Sequence, residues 1–119
     1  MPIGIKAQNL MATKKKFLDF VIEQISGAGL IMSKPMFGEY GLYADGKFFA
    51  VVCDNQLFIK PTEKGRNFIN RVVEAPPYPG AKSWFLIEDK LEDSEWVSKL
   101  VRITAKALPE PKIKKVSKE

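Results

Sequence analysis

The chain has no histidine. That absence removes the commonest general base and the commonest metal ligand, and with them the usual serine and cysteine triads. It has one cysteine, Cys53, so no intramolecular disulfide can form and no zinc site with several thiolates exists. A single thiol fits a reducing cytosol. Nowhere do roughly 18 apolar residues run together as a membrane helix requires, and residues 1–10, with Pro2, Gly4, Lys6, Gln8 and Asn9, lack a secretory apolar core. These absences predict a cytoplasmic protein with no catalytic centre, no cofactor, no metal and no membrane partner.

What is present is ordinary for a folded domain: 119 residues, 45% hydrophobic, 28% charged and 11% aromatic. A chain of this size buries a core without staples. The net charge is +5, which raises nucleic acid as a partner. Much of that surplus lies at the ends, in Lys6 and in the tail lysines Lys112, Lys114, Lys115 and Lys118. Residues 1–10 show neither helical nor strand period and read as a flexible leader, or as sequence ahead of a start at Met11. Residues 11–108 read as the domain, and 109–119 as a basic flexible tail.

Thr13 is the expected N-cap of a first helix whose apolar stripe is Phe17, Leu18, Val21, Ile22 and Ile25, with Gly27 or Gly29 as its stop. Lys14, Lys15 and Lys16 fall in its first turn, where the helix dipole disfavours cations; a solvated helix start or a phosphate or partner contact would both explain them. Asp45-Gly46 is a two-residue hairpin turn, and Asp54-Asn55 a weaker one. Two such loops place Tyr43 opposite Phe48, Leu42 opposite Phe49, Gly41 opposite Ala50, and Val52 opposite Leu57. Tyr40, Leu42, Phe49, Val51 and Phe58 then share one face, and Gly41, Tyr43, Phe48, Ala50, Val52, Leu57 and Ile59 the other. Both faces are apolar, so both need cover. Gly38, Gly41 and Gly46 precede or lie within hairpins rather than leading into a helix, so they mark bends and not a phosphate cradle. Gly41 beside Ala50 leaves a shallow spot for the close approach of a helix.

Thr62 is expected to cap a helix reaching about Val73. Residues 75–80, APPYPG, form an extended loop because proline fixes φ and lacks a donor; Pro76 and Pro79 match the PxxP spacing, for which a rigid linker is the simpler account. Residues 83–87, SWFLI, form a strand. Asp93 or Ser94 caps a last helix ending at Leu108, with Trp96, Val97, Leu100, Val101, Thr104 and Leu108 on its buried stripe. The acidic run Glu88, Asp89, Glu92 and Asp93 lacks the ligand spacing of a cation loop and suits a helix start. Cys53 reads as a packed thiol. The expected fold is α+β, an antiparallel β-meander sheet flanked by N-terminal and C-terminal helices.

Residues 34–61, KPMFGEYGLYADGKFFAVVCDNQLFIKP, resemble the TfoX N-terminal-domain family, named for regulators of competence for DNA uptake. The matching features are Met36, Phe37 and Gly38 after Lys34, then Gly41, the turn at Tyr43, Asp45 and Gly46, and Phe49. The opening MATKKKFLDFVIEQI, the PPYPGAKSWFLI segment and the closing helix extend the resemblance over about residues 11–108. Longer members carry a second helical domain, and many have glycine where Glu39 stands. The resemblance implies the same α+β domain and a role in activating competence genes beside a DNA-bound transcription factor, without catalytic residues. The expected function is therefore regulatory protein contact, with a transcription factor or a second copy of the chain as partner. The surface expected to make it is Lys34, Met36, Phe37, Glu39 and Tyr40, whose aromatics would equally serve as core. The alternative is non-specific nucleic-acid binding through Lys14, Lys15, Lys16, Lys112, Lys114 and Lys115.

Overall fold

The computed structural model describes residues 13–36 and 38–110. The expected leader, Phe37, and the tail lysines Lys112, Lys114 and Lys115 lie outside the described residues.

Helix α1, Lys15–Ile25, buries Leu18, Val21 and Ile25. Its N-cap is Lys14, with no side-chain cap bond, which corrects the expectation for Thr13. Thr13 instead clasps the sheet: its N–H donates to Glu39 Oε1 at 3.0 Å, and its hydroxyl accepts from the Asn55 N–H at 3.2 Å. Lys14 N–H donates to Asn55 Oδ1 at 2.8 Å, so a hairpin tip from elsewhere in the chain serves an otherwise orphaned helix donor.

After a short 3₁₀ turn, Ser26–Ala28, the chain enters β1, Ile31–Met36. This strand went unforeseen because Ser33, Lys34 and Pro35 break the apolar pattern, as suits an edge. Strands β2, Glu39–Ala44, β3, Lys47–Cys53, and β4, Gln56–Ile59, follow as a meander. Asp45 (φ 50°), Gly46 (φ 87°), Asp54 (φ 52°) and Asn55 (φ 58°) supply the positive φ values that two-residue turns need. The Asp45 carboxylate also accepts from Leu30 N–H at 2.9 Å, tying the entry of β1 to the β2–β3 turn.

Helix α2, Glu63–Ile69, starts at Thr62, whose hydroxyl accepts from Gly65 N–H at 2.9 Å. It stops at Asn70, whose φ of 74° breaks the helix, so it is shorter than the expected run to Val73. Strands β5, Glu74–Ala75, and β6, Trp84–Ile87, complete an antiparallel sheet of order β1-β2-β3-β4-β6-β5. Helix α3, Ser94–Ala107, is capped by Asp93, which accepts from Trp96 N–H at 3.1 Å.

The β3–β4 pairing matches the expected register, with Val52 opposite Leu57 and Val51 opposite Phe58. The β2–β3 pairing does not. Tyr43 faces Phe48, but Leu42 then faces Ala50 and Gly41 faces Val51, so Phe49 is an extra residue in a β-bulge. The face assignment changes accordingly. Leu42, Phe49, Ala50, Val52, Leu57 and Ile59 join one buried cluster with Leu18, Val21, Ile25, Phe85, Val97, Leu100 and Val101. That cluster is the core between sheet and helices. Val51, Cys53 and Phe58 form a second, smaller cluster with Met36, Phe48, Trp84 and Leu86. Gly41 belongs to this second side: a Cβ there would lie 2.8 Å from Met36 Cε and 3.0 Å from Phe48 Cε1, so side chains and not a helix take the space it leaves.

The helices are fixed to one another and to the sheet by polar ties. Ser98 and Ser94 hydroxyls donate to Gln24 O at 3.0 and 3.2 Å. Lys47 Nζ reaches from the β2–β3 hairpin to Ala105 O and Leu108 O, at 2.9 and 3.1 Å, placing a cation at the negative end of α3.

Removing the Thr13 hydroxyl is expected to act through the hairpin clasp. Thr13→Ala leaves the Asn55 main-chain N–H without its acceptor and should cost about 1–2 kcal/mol in urea unfolding, whereas Thr13→Ser, which keeps the hydroxyl, should recover most of that loss. An equal loss in both variants would mean that the methyl group and not the hydroxyl is what matters.

Candidate functional site: the open sheet face

The three described helices pack against the larger cluster, so among the described residues the opposite sheet face is left to side chains and one loop. Two zones divide it. Residues 76–79 arch back over the sheet, with Pro77 buried and Pro76, Tyr78 and Pro79 exposed. Between this loop and the sheet runs a groove of about 870 Å³, floored by Val51, Cys53 and Phe58 and lined further by Met36 and Tyr40. Glu39, Asp54 and Gln56 supply its polar groups. Such a size and an apolar lining with few polar groups fall within the range of binding sites. Tyr78, 51% exposed, stands on its outer wall as one of the few large apolar residues left in solvent.

The second zone lies beside the groove. Tyr43, Phe48 and Trp84 form a row across β2, β3 and β6, with ring centroids 5.3 Å apart for the first pair and 6.0 Å for the second. Lys34 Nζ sits 5.1 Å from the Tyr43 centroid, and Lys60 Nζ 4.6 Å from that of Phe48. Burial lowers the Lys60 pKa.

Of the residues expected to form a contact surface, Met36, Glu39 and Tyr40 meet at the groove, while Lys34 lies in the aromatic row on the same side. Tyr40 also packs against the helix-side core. Glu39 is engaged structurally, since its carboxylate accepts from Thr13 N–H at 3.0 Å and from Asp54 N–H at 3.3 Å. Lys14, Lys15 and Lys16 are all exposed at the start of α1, and Lys15 pairs with Asp19 at 3.5 Å.

Cys53 is buried. Its pKa is pushed up to about 11, chiefly by burial and further by the Glu39 and Asp54 carboxylates. Both causes hold the thiol protonated, against the needs of a nucleophile. Among the described residues no group of three or more Cys, Asp or Glu side chains is placed to hold a metal ion. No described helix is long and apolar enough to cross a membrane.

The groove wall and the aromatic row were both missed from sequence. Pro76–Pro79 read as a spacer because nothing local says that Pro77 turns inward. Phe48 and Trp84 read as covered because the bulge, which turns Phe49 and Ala50 together toward the helices, has no sequence marker.

Comparison with known proteins gives the family. Residues 23–108, which hold all six strands and both later helices, match the model of the TfoX N-terminal domain. A protein of Spirochaeta aurantia, described as an uncharacterized 12.7 kDa protein in the trpE 5' region, is 40% identical over 105 residues, covering 88% of this chain and 91% of the relative. With its helix-backed meander and a match of this extent, the chain belongs to the TfoX N-terminal domain family.

Proposed function

We propose that the chain is a non-catalytic, cytoplasmic regulatory module of the competence-regulator type, acting in transcription control by holding a protein partner on the open sheet face. The observation that supports this reading is the groove: an apolar floor of Val51, Cys53 and Phe58 beneath a proline-stiffened wall. A partner residue set into it would be desolvated on both sides, the setting in which interface anchors contribute most. The chemistry at hand agrees, since the one thiol is buried and protonated and histidine is absent. A transcription factor is the partner that family membership favours. A second copy joined through the β1 edge is less suited, because Lys34 and Pro35 occupy that edge and oppose strand addition.

A photo-crosslinking residue in place of Tyr78 should give a discrete adduct with a DNA-bound regulator in living cells. The same residue in place of Phe20 on α1 should give background only, and Met36→Ser should remove the adduct. Equal labelling at both positions would overturn the groove as the contact surface.

The thiol supplies a second test. At pH 8, Cys53 should react with iodoacetamide on the order of a hundredfold more slowly than an exposed cysteine. Because its folded pKa, about 11, lies above the reference 9.0, its contribution to stability is complete below pH 9 and is lost as pH rises to 11. Cys53→Ala should flatten the unfolding profile across that window. Rapid alkylation of the folded protein would contradict an inert role.

A further inference from the structure

The aromatic row is a different site from the groove, and its chemistry points elsewhere. Tyr43, Phe48, Lys60 and Trp84 are half-buried and Lys34 is exposed. The neighbouring ring centroids lie 5.3 and 6.0 Å apart with their planes tilted by 37° and 60°, a spacing that splayed, unstacked bases can match one ring at a time. Lys34 and Lys60 hold their ammonium groups over this row, yet neither has a carboxylate within ion-pair distance among the described residues. Lys47 and Arg66, by contrast, are each paired with a glutamate. A partly desolvated ammonium beside aromatic rings, with no counter-charge of its own, is complementary to a ligand that brings both an anion and a flat π-surface.

We propose that Tyr43, Phe48 and Trp84 form a base-stacking platform for single-stranded nucleic acid, with Lys34 and Lys60 turning from the rings to the phosphates. A helix-free sheet face carrying aromatic side chains is a recurrent way of taking unpaired bases, because every base offers a π-face and the backbone runs past the flanking cations. A duplex does not suit the row, since its base faces are already stacked. An apolar protein surface does not suit it either, since it would bury two ammonium groups without partners. A free nucleotide would occupy only one of the rings, whereas the row offers a run of them.

The test is fluorescence anisotropy of the full chain with a labelled dT oligonucleotide of about 15 nucleotides, beside a duplex of equal length and with thymidine monophosphate as competitor. The single strand should bind at least about tenfold more tightly than the duplex, and millimolar mononucleotide should leave it bound. Phe48→Leu and Trp84→Leu should each weaken binding at least fivefold. Lys34 and Lys60 together predict a slope near −1.4 in log K against log salt, and Lys60→Gln, which spares the apolar cluster, should reduce it by about 0.7. Thermal unfolding of each variant separates lost binding from lost fold. Binding that disappears in the Lys14, Lys15 and Lys16→Gln triple variant, or with the tail lysines replaced by glutamine, and is indifferent to Phe48 and Lys60, would overturn the platform. So would equal affinity for duplex, full competition by the mononucleotide, or no binding at all. None of these outcomes depends on whether a protein occupies the groove, because the crosslink at position 78 reads that site separately.

Discussion

One extra residue in β3 governs how the two sides of this sheet differ. A regular strand would send Phe48 and Ala50 to one face and Phe49 and Val51 to the other. The bulge places Phe49 and Ala50 together on the helix side, both fully buried, and leaves Phe48 and Val51 on the opposite face. The helix-side core thereby gains a large, fully buried ring. The open side keeps Phe48 in line with Tyr43 and Trp84. Without the slip, and with Ala50 and Val51 left where they are, Phe48 and Phe49 would exchange faces, and the row would lose the ring that lies between Tyr43 and Trp84.

The layer of helices is anchored at both ends of the meander by groups that satisfy stranded backbone. At the Asp54-Asn55 turn, Asn55 and Thr13 serve the start of α1. At the opposite turn, Lys47 meets the last carbonyls of α3. Each hairpin tip therefore ends one helix, and the sheet cannot shift beneath its helices without leaving polar groups unpaired. The two zones of the open face rest on this clamped base, which holds their floor residues in place.

Much of the architecture was legible in the sequence where local chemistry decides it. Asp45-Gly46 fixed one hairpin, Thr62 and Asp93 marked their helix starts, and the stripe through Leu18, Val21 and Ile25 gave α1 its buried side. Errors arose where partners distant in the chain decide. Thr13 looks like a cap, but Glu39 and Asn55, 26 and 42 residues away, claim its donor and its acceptor instead. β1 is an edge strand held by pairing with β2, and Pro35 hides it from any apolar pattern. Asn70 ends α2 early by taking a left-handed φ that its residue type permits but does not require. The groove divides the same way: Met36, Glu39 and Tyr40, singled out from composition near a bend, line it, whereas the wall opposite them comes from a loop some 40 residues further on, at Pro76–Pro79.

That wall has a kinetic meaning. Three prolines in four residues, one of them buried, leave the 76–79 segment few alternative backbone shapes even before the protein folds. The groove therefore holds its shape without a partner, and any molecule that entered it would find little loop freedom to surrender on contact. Entry of such a molecule would be limited by collision and orientation rather than by waiting for a gate.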